Sequence, residues 1–160
     1  MKTNATRQLD KLGITYHLRD YEVDANDLSA IKVANQINLP PGQVFKTLVA
    51  KGNAHGIVLA VVPGDQEVDL KALARASDNR NMELVPVSQL QQLTGYIRGG
   101  VTALACKKDY PVYLDESAIL YDIISVSAGI RGTQILLAPQ DYIQAVQATP
   151  AAISRPAPTQ

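Results

Sequence analysis

A run of six apolar residues at positions 57–62 constrains the fold of this chain more than any other feature. A strand with one face in solvent alternates apolar and polar residues, whereas this run is apolar throughout, as expected for a strand covered on both faces. A second, largely apolar run at positions 43–50 precedes it, and residues 52–56 between the two are typical of a hairpin turn. The pattern therefore predicts that residues 57–62 form the central strand of the core.

Helical segments are predicted on both sides of this hairpin and at the end of the chain. They begin at cap residues or a proline near Thr3 or Asn4, Asp27, Asp69, Ser88 and Pro139. Other strands are predicted near 14–21, 82–85, 104–106, 112–114, 123–127 and 134–137. Because strands dominate the middle and do not alternate strictly with helices, we expect an α+β fold. It is a single compact domain over residues 1–148, with a curved, mixed, mostly antiparallel, barrel-like sheet flanked by helices, and residues 149–160, rich in alanine and proline, form a flexible tail.

Composition excludes several classes of function. Hydrophobic residues make up 46% and charged residues 19% of the 160 residues, which is typical of a globular protein. Fifteen basic and fifteen acidic residues balance, so broad coating of DNA or RNA is not expected, although contact with a few phosphates at one RNA end remains open. No segment approaches 18 apolar residues and the N-terminus is polar, so we expect a cytoplasmic protein with no membrane partner.

The cysteine and the two histidines offer little chemistry. A lone Cys106 excludes an intramolecular disulfide, and His17 and His55 have no metal-ligand spacing, so we expect no metal and no cofactor. No Gly-x-Ser-x-Gly elbow or phosphate-binding lysine loop is present. Lys107 and Lys108 could lower the pKa of Cys106, but its apolar surroundings favour a structural role.

Lys46 is a charge inside an otherwise apolar strand. It lies on the solvent face of that strand, or it points into a cleft and binds an anionic or ester-bearing ligand. Taken alone, the residues favour the solvent face, because lysine is rarely buried without a partner.

Two glycine-containing segments are further candidates. Gly99 and Gly100 follow Arg98 and could let a ligand approach bare backbone amides. Ser127 begins a second segment, 127–132, at the end of an apolar strand, where its hydroxyl could donate a hydrogen bond. Each is also compatible with a plain turn, so neither is persuasive alone.

Together these segments resemble the YbaK family of aminoacyl-tRNA deacylases, which are relatives of the editing insertion domain of bacterial prolyl-tRNA synthetases. The resemblance covers roughly residues 5 to 147, and its strongest parts are 44–49, 94–101 and 126–132. It implies an enzyme that hydrolyses the ester of misacylated tRNA, with Cys-tRNA(Pro) as the expected substrate. The implied partners are the 3′ end of tRNA(Pro) and prolyl-tRNA synthetase.

The resemblance also implies roles for individual residues. Lys46, Gly99 and Ser127 match the residues that act on the substrate by positioning it and stabilising charge. Around them the family's pattern implies a set of substrate-binding positions, which here are Tyr21, Thr47, Gly100, Thr102 and Gly129.

Several departures from the family pattern leave the amino acid open. Thr102-Ala103 stands where a serine-proline is usual, Ala128 replaces a glycine, and Gln134 replaces an aspartate. The stretch 24–32 also lacks a glycine-acidic pattern. Two alternatives therefore stand beside the cysteinyl hypothesis: a deacylase for Ala-tRNA(Pro) or another small aminoacyl-tRNA, and a non-catalytic ligand-binding or regulatory module on the same fold.

Overall fold

The computed structural model describes residues 2–158. Five α-helices are present in this range: α1 Asn4–Lys11, α2 Ala30–Ile37, α3 Leu70–Ala76, α4 Leu90–Thr94 and α5 Pro139–Val146. Ten strands accompany them: β1 His17–Asp20, β2 Phe45–Gly52, β3 Gly56–Pro63, β4 Gln66–Val68, β5 Met82–Leu84, β6 Val112–Asp115, β7 Ile124–Ser127, β8 Thr133–Leu137, β9 Thr149–Ala151 and β10 Ser154–Pro156. The predicted α+β class is confirmed.

The main sheet has five strands in the order β5-β2-β3-β6-β9. β2 and β3 form an antiparallel hairpin along their full length, and β6 and β9 then add in parallel. β3 lies in the middle, and its residues alternate between two separate apolar clusters. Leu59 and Val61 pack into one cluster, and Val58, Ala60 and Val62 into the other. Burial on both faces explains why residues 57–62 are apolar without interruption and confirms them as the central strand.

A second sheet, with the order β1-β8-β7, is antiparallel, and β4 pairs with β10 in a third. Val44, just before β2, forms a single parallel bridge with Ser125 of β7. The five-stranded sheet keeps an edge strand at each end, so the expected barrel-like curvature does not close into a barrel. Among residues 2–158 no helix is long and apolar enough to cross a membrane.

The C-terminal segment corrects the expectation of a flexible tail. β9 pairs with β6 and β10 pairs with β4, so residues 149–156 are part of the folded domain. Ile153 between them is fully buried, and the Asp115 carboxylate accepts hydrogen bonds from the backbone N–H groups of Ile153 and Ser154. Because alanine and proline dominate the composition of this segment, the sequence did not show that Ile153 is buried or that its backbone bonds to the distant Asp115. Residues 159 and 160 lie outside the described residues.

Two smaller predictions were wrong in detail. Ser29, not Asp27, caps α2 by accepting a hydrogen bond from Lys32, while Asp27 accepts one from the Ser29 backbone. Residues 104–106 form a loop, with Ala105 at φ 52° and its N–H bound to the Gln8 side chain. The α2 cap is decided by contacts within three residues, whereas the 104–106 loop is held by Gln8, 97 residues earlier in the chain.

Candidate active site

A cavity of about 490 Å³ opens along the outer edge of β2. Five of the predicted site residues line it: Tyr21, Lys46, Thr47, Gly99 and Ser127. The apolar part of its wall comes from α2 and the segment 84–101, and includes Ile31, Val33, Leu84, Val85, Val87 and Leu90. The three candidate segments, which lie far apart in the sequence, therefore meet in one place.

The cavity exists because β2 and β7 separate. Val44 bridges Ser125 in parallel, and continuing this register by two residues would place Lys46 beside Ser127. No further ladder forms between the two strands in the described part of the chain, so both residues flank a gap. Parallel neighbours that diverge at their carboxyl ends leave a crevice in which ligands commonly bind.

The same gap leaves part of the β2 backbone without a strand partner. β5 pairs only with Ala50–Gly52, and the Val49 carbonyl accepts a hydrogen bond from the Val85 N–H at 3.0 Å. Backbone groups alternate in direction along a strand, so the N–H and C=O of Thr47 face the same edge as those of Val49. They open into the cavity and can bind a ligand there.

Lys46 is a half-buried cation in this cavity. Its Nζ donates one long hydrogen bond, 3.4 Å, to the Gly64 carbonyl, and the structure shows no carboxylate within 4.0 Å of it among residues 2–158. Burial lowers the Lys46 pKa below its ordinary value of 10.5, and the more distant charges of Asp65 and Glu67 partly oppose that shift. Within the described part of the chain no acidic side chain lines the cavity, so an anionic ligand would find an unpaired positive charge there.

Gly99 also lines the cavity and carries a backbone N–H donor. Its φ is +89°, and a Cβ there would lie 3.1 Å from Nε of Arg131. Arg131 Nε donates to the Arg98 carbonyl at 2.8 Å. Because the C=O and N–H of a trans peptide point in opposite directions, this contact turns the Gly99 N–H away from Arg131. No described residue accepts a hydrogen bond from that N–H.

Ser127 ends β7, and its hydroxyl oxygen accepts a hydrogen bond from the Gly129 N–H at 3.1 Å. The Ser127 hydroxyl hydrogen has no acceptor within residues 2–158 and can donate into the cavity. Tyr21 reaches the same wall because its backbone N–H donates to the Gly132 carbonyl at 2.9 Å. The turn after β7 therefore positions two of the predicted residues.

Three predicted substrate-binding residues do not line the cavity: Gly100, Thr102 and Gly129. Thr102 is fully buried, and its hydroxyl accepts a hydrogen bond from the Leu104 N–H. The two glycines instead allow close packing. A Cβ on Gly100 would lie 3.3 Å from the Ile130 backbone, and one on Gly129, at φ +91°, would lie 2.9 Å from the Tyr96 ring. These residues shape the loops around the site.

Cys106 and the histidines lie outside the cavity. Burial, with the nearby charge of Asp109, raises the pKa of the Cys106 thiol to about 11, and the thiol contacts the Thr102 carbonyl. The described residues contain no cluster of three or more His, Cys, Asp or Glu residues able to hold a metal ion. Among residues 2–158 the cavity lining thus offers hydrogen-bond donors and two cationic side chains, Lys46 and Arg98, without a thiolate or a carboxylate.

Gln134 lines the cavity and was absent from the predicted site. It lies directly opposite Ser127 in the β7–β8 ladder. The sequence marked it as a departure from the family pattern but did not show that it reaches the site. Ala128, the other departure near Ser127, is fully buried in the core and does not line the cavity.

Comparison with known proteins identifies the family of this chain. The model of the aminoacyl-tRNA editing domain family matches residues 25–145. A candidate Cys-tRNA(Pro)/Cys-tRNA(Cys) deacylase of Enterococcus faecalis, EbsC, is 46% identical over 139 residues, which are 87% of this chain and 85% of that protein. The multifunctional Ser/Thr-tRNA deacylase ProXp-y of Escherichia coli is 27% identical over 110 residues, 66% of each chain.

Solved structures share the fold. A candidate trans-editing enzyme for prolyl tRNA synthetase superposes with a TM-score of 0.83 at 23% identity, covering 97% of this chain and 99% of the other. A hypothetical protein of known structure gives 0.87 at 20% identity, covering 96% and 100%. The resemblance predicted from the three segments is confirmed, and this chain belongs to the aminoacyl-tRNA editing domain family.

Proposed function

We propose that this chain hydrolyses the ester of misacylated tRNA and that its substrate is Cys-tRNA(Pro). The observation that carries the proposal is the cavity in which Lys46, Gly99 and Ser127 meet at the gap between β2 and β7. Family membership supports the reaction class, and the 46% identical relative, a candidate Cys-tRNA(Pro)/Cys-tRNA(Cys) deacylase, supports cysteine.

Lys46 anchors the tRNA end in this proposal. Its ammonium has no carboxylate partner among residues 2–158, so a phosphate or ribose oxygen of the terminal adenosine supplies the acceptor. Charged hydrogen bonds of this kind are stronger than neutral ones. The long contact to the Gly64 carbonyl leaves the other ammonium hydrogens free for the ligand.

The ester carbonyl lies between the backbone and Ser127. The Gly99 N–H and the Thr47 N–H on the open edge of β2 donate toward the oxygen as negative charge develops on it. Preorganised donors of this kind stabilise the transition state without a side-chain nucleophile. Water then adds to the carbonyl carbon and the bond to the ribose oxygen breaks, which releases the amino acid and the tRNA 3′-hydroxyl. With cysteine, the substrate's own thiol is a second nucleophile close to the ester.

The partner is prolyl-tRNA synthetase in this proposal. Equal numbers of acidic and basic residues predict weak binding of tRNA by the chain alone, because affinity for nucleic acid comes mainly from phosphate contacts. A synthetase bound to the same tRNA would supply the anticodon selection. A second candidate substrate class is tRNA that carries a small hydroxylated amino acid. The similarity to the Ser/Thr-tRNA deacylase of Escherichia coli supports this class.

A panel of purified aminoacyl-tRNAs tests the proposal. Cys-, Ser-, Thr- and Ala-tRNA(Pro) are each incubated with the chain, with and without prolyl-tRNA synthetase, and the released amino acid is quantified against uncatalysed hydrolysis. We expect fastest release of cysteine, with a gain when the synthetase is present. Release of alanine or serine alone would replace the cysteinyl assignment, and no release from any tRNA would favour the non-catalytic module.

A further inference from the structure

Gln134 is a nearly buried polar side chain in the wall of the cavity. It is 5% exposed and lies in β8, directly opposite Ser127 of β7. Residues paired in this way across antiparallel strands have Cβ atoms about 5 Å apart. A buried amide next to the proposed aminoacyl site therefore requires a chemical explanation.

Ser125 fixes the orientation of the Gln134 amide. The Ser125 hydroxyl is fully buried and donates to Gln134 Oε1 at 2.8 Å, and the structure shows no other acceptor for it in residues 2–158. If the amide were rotated by half a turn, the buried hydroxyl hydrogen would lose its acceptor, which is unfavourable. The amide oxygen therefore faces Ser125, and Nε2 faces away.

The Nε2 group of Gln134 opens into the cavity. Within residues 2–158 Nε2 has no acceptor. Tyr142 Oη is the one fully enclosed side-chain nitrogen or oxygen there that lacks a hydrogen-bond partner. Because Nε2 also lacks a partner, it is not fully enclosed and is accessible. Because the rest of the side chain is buried, the cavity that Gln134 lines is where Nε2 is reached. Ser127, opposite, also keeps its hydroxyl hydrogen free, since its oxygen accepts from Gly129. Two donors thus lie side by side.

We propose that Gln134 Nε2 and the Ser127 hydroxyl together select the amino acid by donating to an oxygen or sulfur on its side chain. This rests on the proposed function, because it assumes an aminoacyl ester in the cavity. Donors cannot bind the α-ammonium group, so an acceptor is required. Cysteine, serine and threonine carry one and alanine does not. A site built to hydrogen-bond a side chain discriminates strongly against an analogue that leaves its donors unpaired.

Substitution of Gln134 tests this selection. Gln134→Glu keeps the size and the acceptor for Ser125 but removes the donor, and Gln134→Leu removes both. Single-turnover rates are measured for Cys-, Ser- and Ala-tRNA. We expect the ratio of the cysteinyl and seryl rates to the alanyl rate to fall by about 10- to 100-fold in both variants. Ser125→Ala, which only frees the amide to turn, should lower the same ratio by less.

The outcomes separate this inference from the proposed function. Equal loss for all three substrates, or an unchanged ratio in both variants, would overturn the selective role. The urea midpoint of each variant is compared with that of the wild type, and the near-isosteric Gln134→Glu carries the test if Gln134→Leu is unstable.

If the wild-type chain hydrolyses none of the substrates, the proposed function fails, and binding then decides the inference. Non-hydrolysable 3′-seryl- and 3′-alanylamino-adenosine are titrated by calorimetry. Tighter binding of the seryl compound by the wild type, lost in Gln134→Glu, supports the donor pair. Equal affinities in the wild type would refute it.

Discussion

Replacement of Lys46 by methionine tests the central element of the site. Methionine keeps most of the side-chain length and removes the charge. A preorganised donor that acts mainly in the transition state contributes about 2.7–4 kcal/mol, which corresponds to about 10²- to 10³-fold in rate. We therefore expect single-turnover deacylation by Lys46→Met to fall by about that factor, with Lys46→Arg, which keeps the charge, retaining more activity.

The stability of the same variant shows whether the loss is chemical. Burial lowers the Lys46 pKa below 10.5, so between that lowered pKa and 10.5 the unfolded chain binds more protons than the folded one. The charge therefore disfavours folding at neutral pH, and this cost is relieved as pH rises through that window. We expect the urea midpoint of Lys46→Met at pH 7 to equal or exceed that of the wild type. Near pH 10 the urea midpoint of the wild type should rise relative to that of the variant. Deacylation at the wild-type rate, in a folded variant, would refute the role of Lys46.

Three further predictions address the surroundings of the site. Gly99→Ala places a Cβ at φ +89° and 3.1 Å from Arg131 Nε; it should cost about 1–2 kcal/mol in urea unfolding and slow deacylation, and an unchanged rate would remove Gly99 from the mechanism. Cys106→Ala should leave the deacylation rate within about twofold, because a thiol with a pKa of about 11 is protonated at neutral pH; a large loss would contradict the structural role. Ile153→Ala should lower the unfolding free energy by about 2–5 kcal/mol, since Ile153 is fully buried; a change below about 0.5 kcal/mol in urea titration would mean that the C-terminal segment is not docked.

Much of the core was predictable because its signals are local. The uniform apolar run at 57–62 identified the central strand, and Asp69 and Pro139 marked the starts of α3 and α5. The C-terminal segment was not predictable in this way. Its order depends on the burial of Ile153 and on hydrogen bonds that the backbone N–H groups of Ile153 and Ser154 donate to Asp115, which lies 38 and 39 residues earlier.

The sequence predicted which segments contribute to the candidate site, but not which of their residues line the cavity. Lys46, Gly99 and Ser127 line the cavity, whereas Thr102 is fully buried and does not line it. Gln134 was noticed only as an unusual residue, because its access to the cavity depends on the β7–β8 register. The apolar wall from α2 and residues 84–90 carries no local motif at all.

The sequence alone determined the α+β class, the central strand and the family. These depend on residue periodicity and on short segments, which are properties of neighbouring positions. Only the tertiary structure decided that Lys46 faces a cavity, because the residue pattern of β2 is equally compatible with Lys46 on a solvent-exposed face. The short β5 and the separation of β7 from β2 after Ser125 leave that edge open, and strand pairing between distant segments is not encoded in any local pattern.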